Sequence, residues 1–314
     1  MEPHVKSTTR WRRRFGMLTL TLAIALGVRA CDRTDARDDA SRNTATTRAG
    51  TPMRIVTLAP NAAESIAAIG LADRIVGVSD FCVFPESLTQ RARVGGIMDP
   101  DLERIVTLDP DLVVLRGQMP TVEALCAKRG IDVYHDATDT LEDIFREIEA
   151  LGERLGAADA AHELSRRLRD ELDALHARVA NRPRVRTLMI VNRDVDGIRN
   201  VVTFGRGAFV NDVIRLAGGE NVFGELNVAY PQVSAEEILA AKPDVIIEAV
   251  EASRMSDALR TTMLEQWNAL PSIPAVRNHR VYLLTEDYLL IPSPRVVDSV
   301  RLLSATLHPE VARE

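Results

Sequence analysis

Aromatic side chains are scarce: seven Phe, two Trp and four Tyr make up 4% of 314 residues. Each aromatic at a cleft therefore carries more weight, because rings supply the largest contact area per side chain. There are three cysteines and no C-x-x-C pair, which excludes a disulfide-stapled scaffold and a zinc ribbon. The six histidines are scattered, and none follows the first strand segment, Arg54 to Leu58. A site for bare Zn²⁺ or Mn²⁺ needs several His and carboxylates converging, so a metal centre is not expected. There is no P-loop and no G-x-S-x-G. Gly205-Arg-Gly207 approaches a dinucleotide fingerprint, but position 210 is Val where the third Gly belongs. Positive charge is not in excess. Beyond Cys31 the chain has 33 basic and 44 acidic residues, a net charge of −11, which argues against nucleic-acid binding.

What the chain does contain is organised around Ala158 to Ala180. Apolar residues recur at Ala161, Leu164, Leu168, Leu172, Leu175 and Val179, in steps of three and four, which predicts one long helix. Asn181-Arg182-Pro183 ends it, since Pro cannot continue the hydrogen bonding. The segments on either side share a pattern. Asp101 to Val114 (DLERIVTLDPDLVV) and Ser234 to Ile247 (SAEEILAAKPDVII) align without a gap. Each has an N-cap residue, helical spacing, a Pro-Asp break and a β-branched strand. A weaker pair, Glu64 to Val78 and Asn211 to Glu225, sets Gly77 against Gly224. Two motifs in the same order on both sides of one helix predict two α/β lobes of similar plan. Strands alternating with helices imply mostly parallel sheets, so each lobe is Rossmann-like.

The chain then divides as follows. Residues 1–31 read as an export signal: a basic n-region, an apolar run from Met17 to Val28, and Val28-Arg29-Ala30-Cys31. Arg12-Arg13-Arg14 reads as part of a basic n-region rather than a twin-arginine signal. Residues 32–52 are polar and without period, a flexible tether. Residues 53–157 form the N-terminal lobe, 158–182 the interlobe helix and 183–314 the C-terminal lobe. Cys82 and Cys126 could pair in an oxidising compartment or stand as structural thiols.

Thr57-Leu-Ala-Pro60, Val76-Gly-Val-Ser79, Asp101 to Val114, Pro231-Gln-Val-Ser234 through Pro243-Asp244, and Ser293-Pro-Arg295 together resemble one family. It is the solute-binding proteins of ABC importers for cobalamin, ferric siderophores and haem. The resemblance covers residues 53–309 and is strongest to the cobalamin-binding branch. It implies the class III architecture: two Rossmann-like lobes on one long rigid helix, with the ligand between them and no catalysis; a continuous helix is stiffer than paired strands, so the lobes should close through a small angle. It further implies an extracytoplasmic monomer delivering cobalamin or an iron chelate to a permease dimer with its ATPase subunits; Val28-Arg29-Ala30-Cys31, which resembles a lipoprotein cleavage site although Arg29 departs from the usual small or apolar residue, predicts a lipid on Cys31 that holds it to the membrane. No cofactor is implied.

Carried over position by position, the resemblance makes Phe81, Ile97, Arg116, Tyr230 and Asp287 the ligand contacts. Ile97 stands where cobalamin binders tend to place an aromatic, and Ile291 stands where an Arg would pair near the ligand. Arg116 could instead meet an anionic group. For haem, Tyr230, Tyr134 or His135 are the candidate iron ligands. Core or loop packing is the alternative for each cleft residue. The permease-docking residues are Glu103 and Glu236, equivalent in the internal repeat. The local alternative is that each stabilises its own helix dipole by about 0.3–1 kcal/mol. A nucleotide-binding or catalytic α/β protein is the alternative class.

The N-terminal reading is checked by intact mass. Protein extracted from membranes should begin at a lipidated Cys31, and Cys31→Ser should release it. A soluble form that starts elsewhere and ignores that substitution contradicts the anchor.

Overall fold

A computed structural model describes Thr51 and residues 54–311. The export signal, Cys31 and the tether up to residue 50 lie outside the described residues. The N-terminal lobe runs β1 (Ile55–Thr57), α1 (Pro60–Ile66), β2 (Ile75–Val78), α2 (Glu86–Thr89), β3 (Ala92–Arg93), α3 (Leu102–Thr107), β4 (Leu112–Arg116), α4 (Pro120–Arg129), β5 (Asp132–Asp136) and α5 (Leu141–Arg154). Its five strands pair in the order β3-β2-β1-β4-β5, all parallel. After the interlobe helix α6 (Ala158–Val179) come β6 (Val185–Asn192), β7 (Val201–Thr203), α7 (Phe209–Leu216), β8 (Gly219–Asn221), β9 (Gln232–Val233), α8 (Ala235–Ala241), β10 (Val245–Ala249), α9 (Asp257–Gln266), α10 (Pro274–Arg277), β11 (Val281–Leu284) and α11 (Val296–Leu307).

The second sheet has the order β11-β10-β6-β7-β9, with β8 also on β6. Its β11, β10, β6 and β8 are mutually parallel, but β7 runs antiparallel to β6 and to β9. The sequence pattern anticipates β6, β10 and β11 and misses β7 to β9. These are two or three residues long, too short to show a period of two.

The internal repeat is real in three dimensions. Asp101 accepts a hydrogen bond from Arg104 N (2.8 Å), and Ser234 accepts one from Glu237 N (3.2 Å), so both N-caps form as expected. Each helix ends in a left-handed residue just before the Pro-Asp pair, Asp109 (φ 45°) and Lys242 (φ 47°). Arg54, just before β1, and Arg186, near the start of β6, donate to the equivalent carbonyls of Leu108 and Ala241, both at 2.6 Å. An arginine thus closes the C-terminus of each repeated helix, where free carbonyls collect. The weaker pair matches in its helices, α1 and α7, but not in register. Gly77 lies inside β2, whereas Gly224 lies beyond β8.

Helix α6 is one continuous helix with the expected buried stripe: Ala161, Leu164, Leu168, Leu172 and Val179, joined by Ser165. It is not a lone strut. One apolar core runs through α5 (Ile144, Phe145, Ile148), α6, α7 (Phe209, Val213, Ile214), β6, β10 and α11 (Val296, Val300, Leu303). Helices α5 and α6 touch so closely that a Cβ on Gly152 would fall 2.3 Å from the Ala161 Cβ. The N-terminal sheet has two further cores, one on each face. Cys82 lies in one and Cys126 in the other, each thiol free and pushed up to about 11 by burial. A strand layer separates them, so they cannot pair.

Inside the N-terminal lobe, Glu147 of α5 is 8% exposed. Its Oε2 accepts from the Tyr134 hydroxyl at 2.9 Å, and its Oε1 has no partner. Burial, followed by the nearby Asp136 charge, raises its pKa from 4.5 to about 8. The folded state therefore holds a proton that the unfolded chain releases. From Glu147, stability should be fully present below pH 4.5, decline as pH rises towards 8, and be constant above. Glu147→Gln should remove that part of the slope and stabilise the protein above pH 8 by about 1–3 kcal/mol, the scale of an unmade buried polar contact. Urea unfolding at pH 5, 7 and 9 reads it. Parallel pH profiles for the two proteins would contradict it.

Candidate functional site

The carboxyl ends of the strands are where parallel α/β sheets bind ligands. Most of the exposed apolar residues lie there, the exception being the segment that leads into β9. Among the described residues, the exposed large apolar side chains are Phe81, Val83 and Phe84 after β2, Ile97 and Met98 after β3, Val195 after β6, Leu226, Val228 and Tyr230 before β9, and Leu290 after β11. Phe81 is 65% and Met98 93% exposed. A protein surface does not usually gather its apolar groups this way, so the concentration makes these loops the candidate binding face.

Glycines seat the two aromatic rings. The loop after β3 is closed by a bridge between Gly95 and Pro100, and Gly95 has φ +80°. A Cβ on Gly96 would lie 2.8 Å from Phe81 Cε2, so the Phe81 ring rests on bare backbone. In the other lobe Gly205 N donates to Ala229 O (2.9 Å), and a Cβ on Gly205 would lie 2.2 Å from Val228 O. That contact presents Tyr230, whose ring meets Phe204 edge-on at 5.8 Å.

Arg116 ends β4 and is not free. Its Nη1 donates to Asp136 Oδ2 (2.8 Å) and its Nη2 to Asp139 Oδ1 (3.0 Å). Asp136 is buried and also accepts from Asn61 Nδ2 (3.0 Å) and from Thr138. The Tyr230 phenol lies within electrostatic reach of Arg116. Asp287 opens the turn after β11 and accepts two hydrogen bonds from Arg295, at 3.0 and 2.8 Å. Partial burial pushes its pKa up, but the Arg295 hydrogen bonds and charge hold it below the usual carboxylate range. Asp287 is therefore an anionic acceptor at neutral pH.

The structure thus puts Arg116 and Tyr230 near one another, and Asp287 beside Phe84 through Arg295, which lies 4.3 Å over that ring. Phe81 and Ile97 are on neighbouring loops and exposed. Four groups escaped the site list read from sequence: Glu64, Asp136, Asp139 and Arg295. A signal existed for the first. Glu64 is the one charge in the apolar run from Ala62 to Ile69, and a charge on a buried helix face needs a partner. The partner, Arg295, lies 231 residues away.

Two expected iron ligands fare differently. Tyr134 is turned into the lobe and donates to Glu147, which removes it from the cleft. His135 is exposed at the end of β5, its Nδ1 3.1 Å from Gly117 O. No group of three metal-ligating side chains occurs among the described residues. The Gly205-x-Gly207 loop packs on the 226–231 segment, and the first amide of α7, Phe209 N, donates to Asp139 O at 2.7 Å. An anion-binding helix start needs that amide free.

Glu103 and Glu236 occupy equivalent places in the first turns of α3 and α8. Both are exposed, and neither has an ionic partner among the described residues. No helix among the described residues is long and apolar enough to cross a membrane.

Comparison with known proteins agrees with this geometry. The family model described as periplasmic binding protein matches residues 55–288. A vitamin B12-binding protein of Vibrio parahaemolyticus is 32% identical over 249 residues, which cover 79% of this chain and 86% of that protein. The crystal structure of the periplasmic vitamin B12-binding protein BtuF of Vibrio cholerae superposes with a TM-score of 0.68 at 29% identity, covering 84% of this chain and 99% of that one. A periplasmic haem-binding protein from Pseudomonas aeruginosa superposes with a TM-score of 0.70 at 26% identity, covering 82% and 93%.

Proposed function

Because the chain belongs to the periplasmic binding protein family, and so serves as the extracytoplasmic substrate-binding component of an importer, we propose that its ligand is cobalamin or a closely related corrinoid. The observation that carries this choice is the charge state of the cleft. Both arginines that reach it are already paired with two carboxylates each, Arg116 with Asp136 and Asp139, and Arg295 with Glu64 and Asp287. What faces the ligand is therefore apolar wall with carboxylate acceptors at its edges. A corrinoid suits it: a broad ring for Phe81 and Tyr230, and peripheral carboxamides whose N–H groups donate to Asp139 and Asp287. Haem brings two propionates. A propionate at about 5–6 Å from either carboxylate is repelled by about 3 kcal/mol at an effective dielectric of 20, and displacing the carboxylate strands a desolvated charge. Ferric catecholates meet the same obstacle.

In this reading Ile97 and Met98 supply aliphatic contact where a ring is absent. Cys31 is the attachment point to the membrane, and Glu103 and Glu236 are the two points at which a permease dimer takes hold. Their separation by the internal repeat puts one on each lobe, and exposed carboxylates lose little hydration before meeting arginine forks.

Titration of the purified protein with cyanocobalamin, haem and a ferric siderophore panel tests the ligand. Cyanocobalamin should bind, and Tyr230→Ala should weaken it by about 1–3 kcal/mol, one buried aromatic contact. Haem or siderophore binding without cyanocobalamin binding would overturn the assignment.

Docking is tested separately. Glu103→Arg with Glu236→Arg should leave ligand affinity unchanged and abolish uptake by the reconstituted importer, each single reversal being milder. Normal uptake by the double variant would remove both residues from the interface.

A further inference from the structure

Arg295 joins three parts of the molecule. Its Nε donates to Glu64 Oε2 at 2.8 Å and its Nη2 to Glu64 Oε1, so one edge of the guanidinium grips the N-terminal lobe. The other edge, Nη1 and Nη2, grips both oxygens of Asp287 at 3.0 and 2.8 Å. Ser293 Oγ donates to Glu64 Oε2 at 2.6 Å. The guanidinium carbon also lies 4.3 Å from the ring centre of Phe84 of one lobe and 5.5 Å from that of Tyr288 of the other. Glu64 is 3% and Arg295 11% exposed, but Asp287 is 42% exposed. The geometry runs from a buried anchor in one lobe to a solvent-facing carboxylate in the other.

We propose that Arg295 is a positioning residue: it locks the two lobes at one opening and, through the same guanidinium, aims the Asp287 carboxylate at the ligand. A two-sided planar fork is needed, because four hydrogen bonds leave Arg295 in two directions within one plane. Lysine has the charge but a single rotatable ammonium, so it can hold one carboxylate or the other with no fixed angle between them. Two consequences follow. Arg295 is unavailable to an anionic ligand, which sharpens the preference for a neutral one. The lobes cannot part at this end without exposing Glu64, so a permease that opens the cleft must break this contact to release the ligand. The aiming half rests on the cleft assignment above; the locking half does not.

The test separates the two. In a Cys31→Ser background, spin labels on Thr107→Cys in α3 and Ala240→Cys in α8 report the interlobe distance by double electron–electron resonance, the native Cys82 and Cys126 being buried. Arg295→Lys, which keeps a cation beside Glu64 and so preserves folding, should broaden the distance distribution of the ligand-free protein. It should also weaken cyanocobalamin by about tenfold or more, the scale of one lost charged hydrogen bond. Asp287→Asn should weaken binding comparably while leaving the distances narrow. Should Arg295→Lys leave both distance and affinity as in the parent, the proposal is wrong. Broadened distances with unchanged affinity would keep the lock and overturn the aiming. If the parent protein itself does not bind cyanocobalamin, the ligand reading and the aiming fall together, and the distance measurement still decides the lock.

Discussion

The constraint on which everything else depends is that the two lobes share one apolar core. Helices α5, α6, α7 and α11 bury their stripes against each other, so Phe145 and Ile148 of one lobe belong to the same packed cluster as Val213 and Leu303 of the other. Protein interiors pack like crystals and resist deformation. A hinge through such a layer would have to open cavities along α6, each lost Leu-sized contact costing about 2–5 kcal/mol. The small opening expected of this architecture is therefore a property of the layer, in which the long helix is one member. The contact of Gly152 with Ala161 shows how closely the members approach.

Above that layer the lobes touch through polar contacts arranged in a pseudo-symmetric way. In each lobe the loop that follows the last strand reaches the first helix of the other lobe. From the C-terminal lobe, Ser293 and Arg295 reach Glu64 of α1. From the N-terminal lobe, Asp139 O accepts from Phe209 N at the start of α7. One contact is ionic and the other a backbone hydrogen bond. They differ in what removal leaves behind. A lone buried Glu64 costs about 3–5 kcal/mol, whereas a backbone amide at a helix start can turn to water. The two ends of the cleft are thus held with unequal strength.

The same contacts determine the electrostatics of the cleft. Asp136 and Glu64 are buried and exist to be paired; Asp139 and Asp287 are exposed, at 67% and 42% of their side chains, and retain unused lone pairs. The arginines between them are structural cations whose donors point at protein. A reader counting charges would expect a cationic site from Arg116 and Arg295. Pairing inverts that expectation and leaves acceptors facing outward, which suits a ligand rich in N–H groups.

Much of the fold was legible in the chain. The period of α6, the Asp101 and Ser234 caps, the Pro-Asp breaks and the equivalence of Glu103 with Glu236 all follow from local rules, because helix periodicity and capping act within four residues. Phe81 and Tyr230, named on family pattern, are exposed in the loops after β2 and before β9. Three things were not legible. The strands β7 to β9 are too short to carry a pattern and form by pairing, β7 and β8 on β6 and β9 on β7. Cys82 and Cys126 could have been partners until the sheet placed them on opposite faces. Arg116 and Arg295 could have been free cations until residues 20 and 231 positions away neutralised them. The sequence alone determined the long helix with its buried stripe, the two capped helices and the Pro-Asp breaks, since periodicity and capping act over a few residues. Tertiary structure alone decided the charge that the cleft presents, since that depends on which distant carboxylates the packing brings within hydrogen-bonding reach.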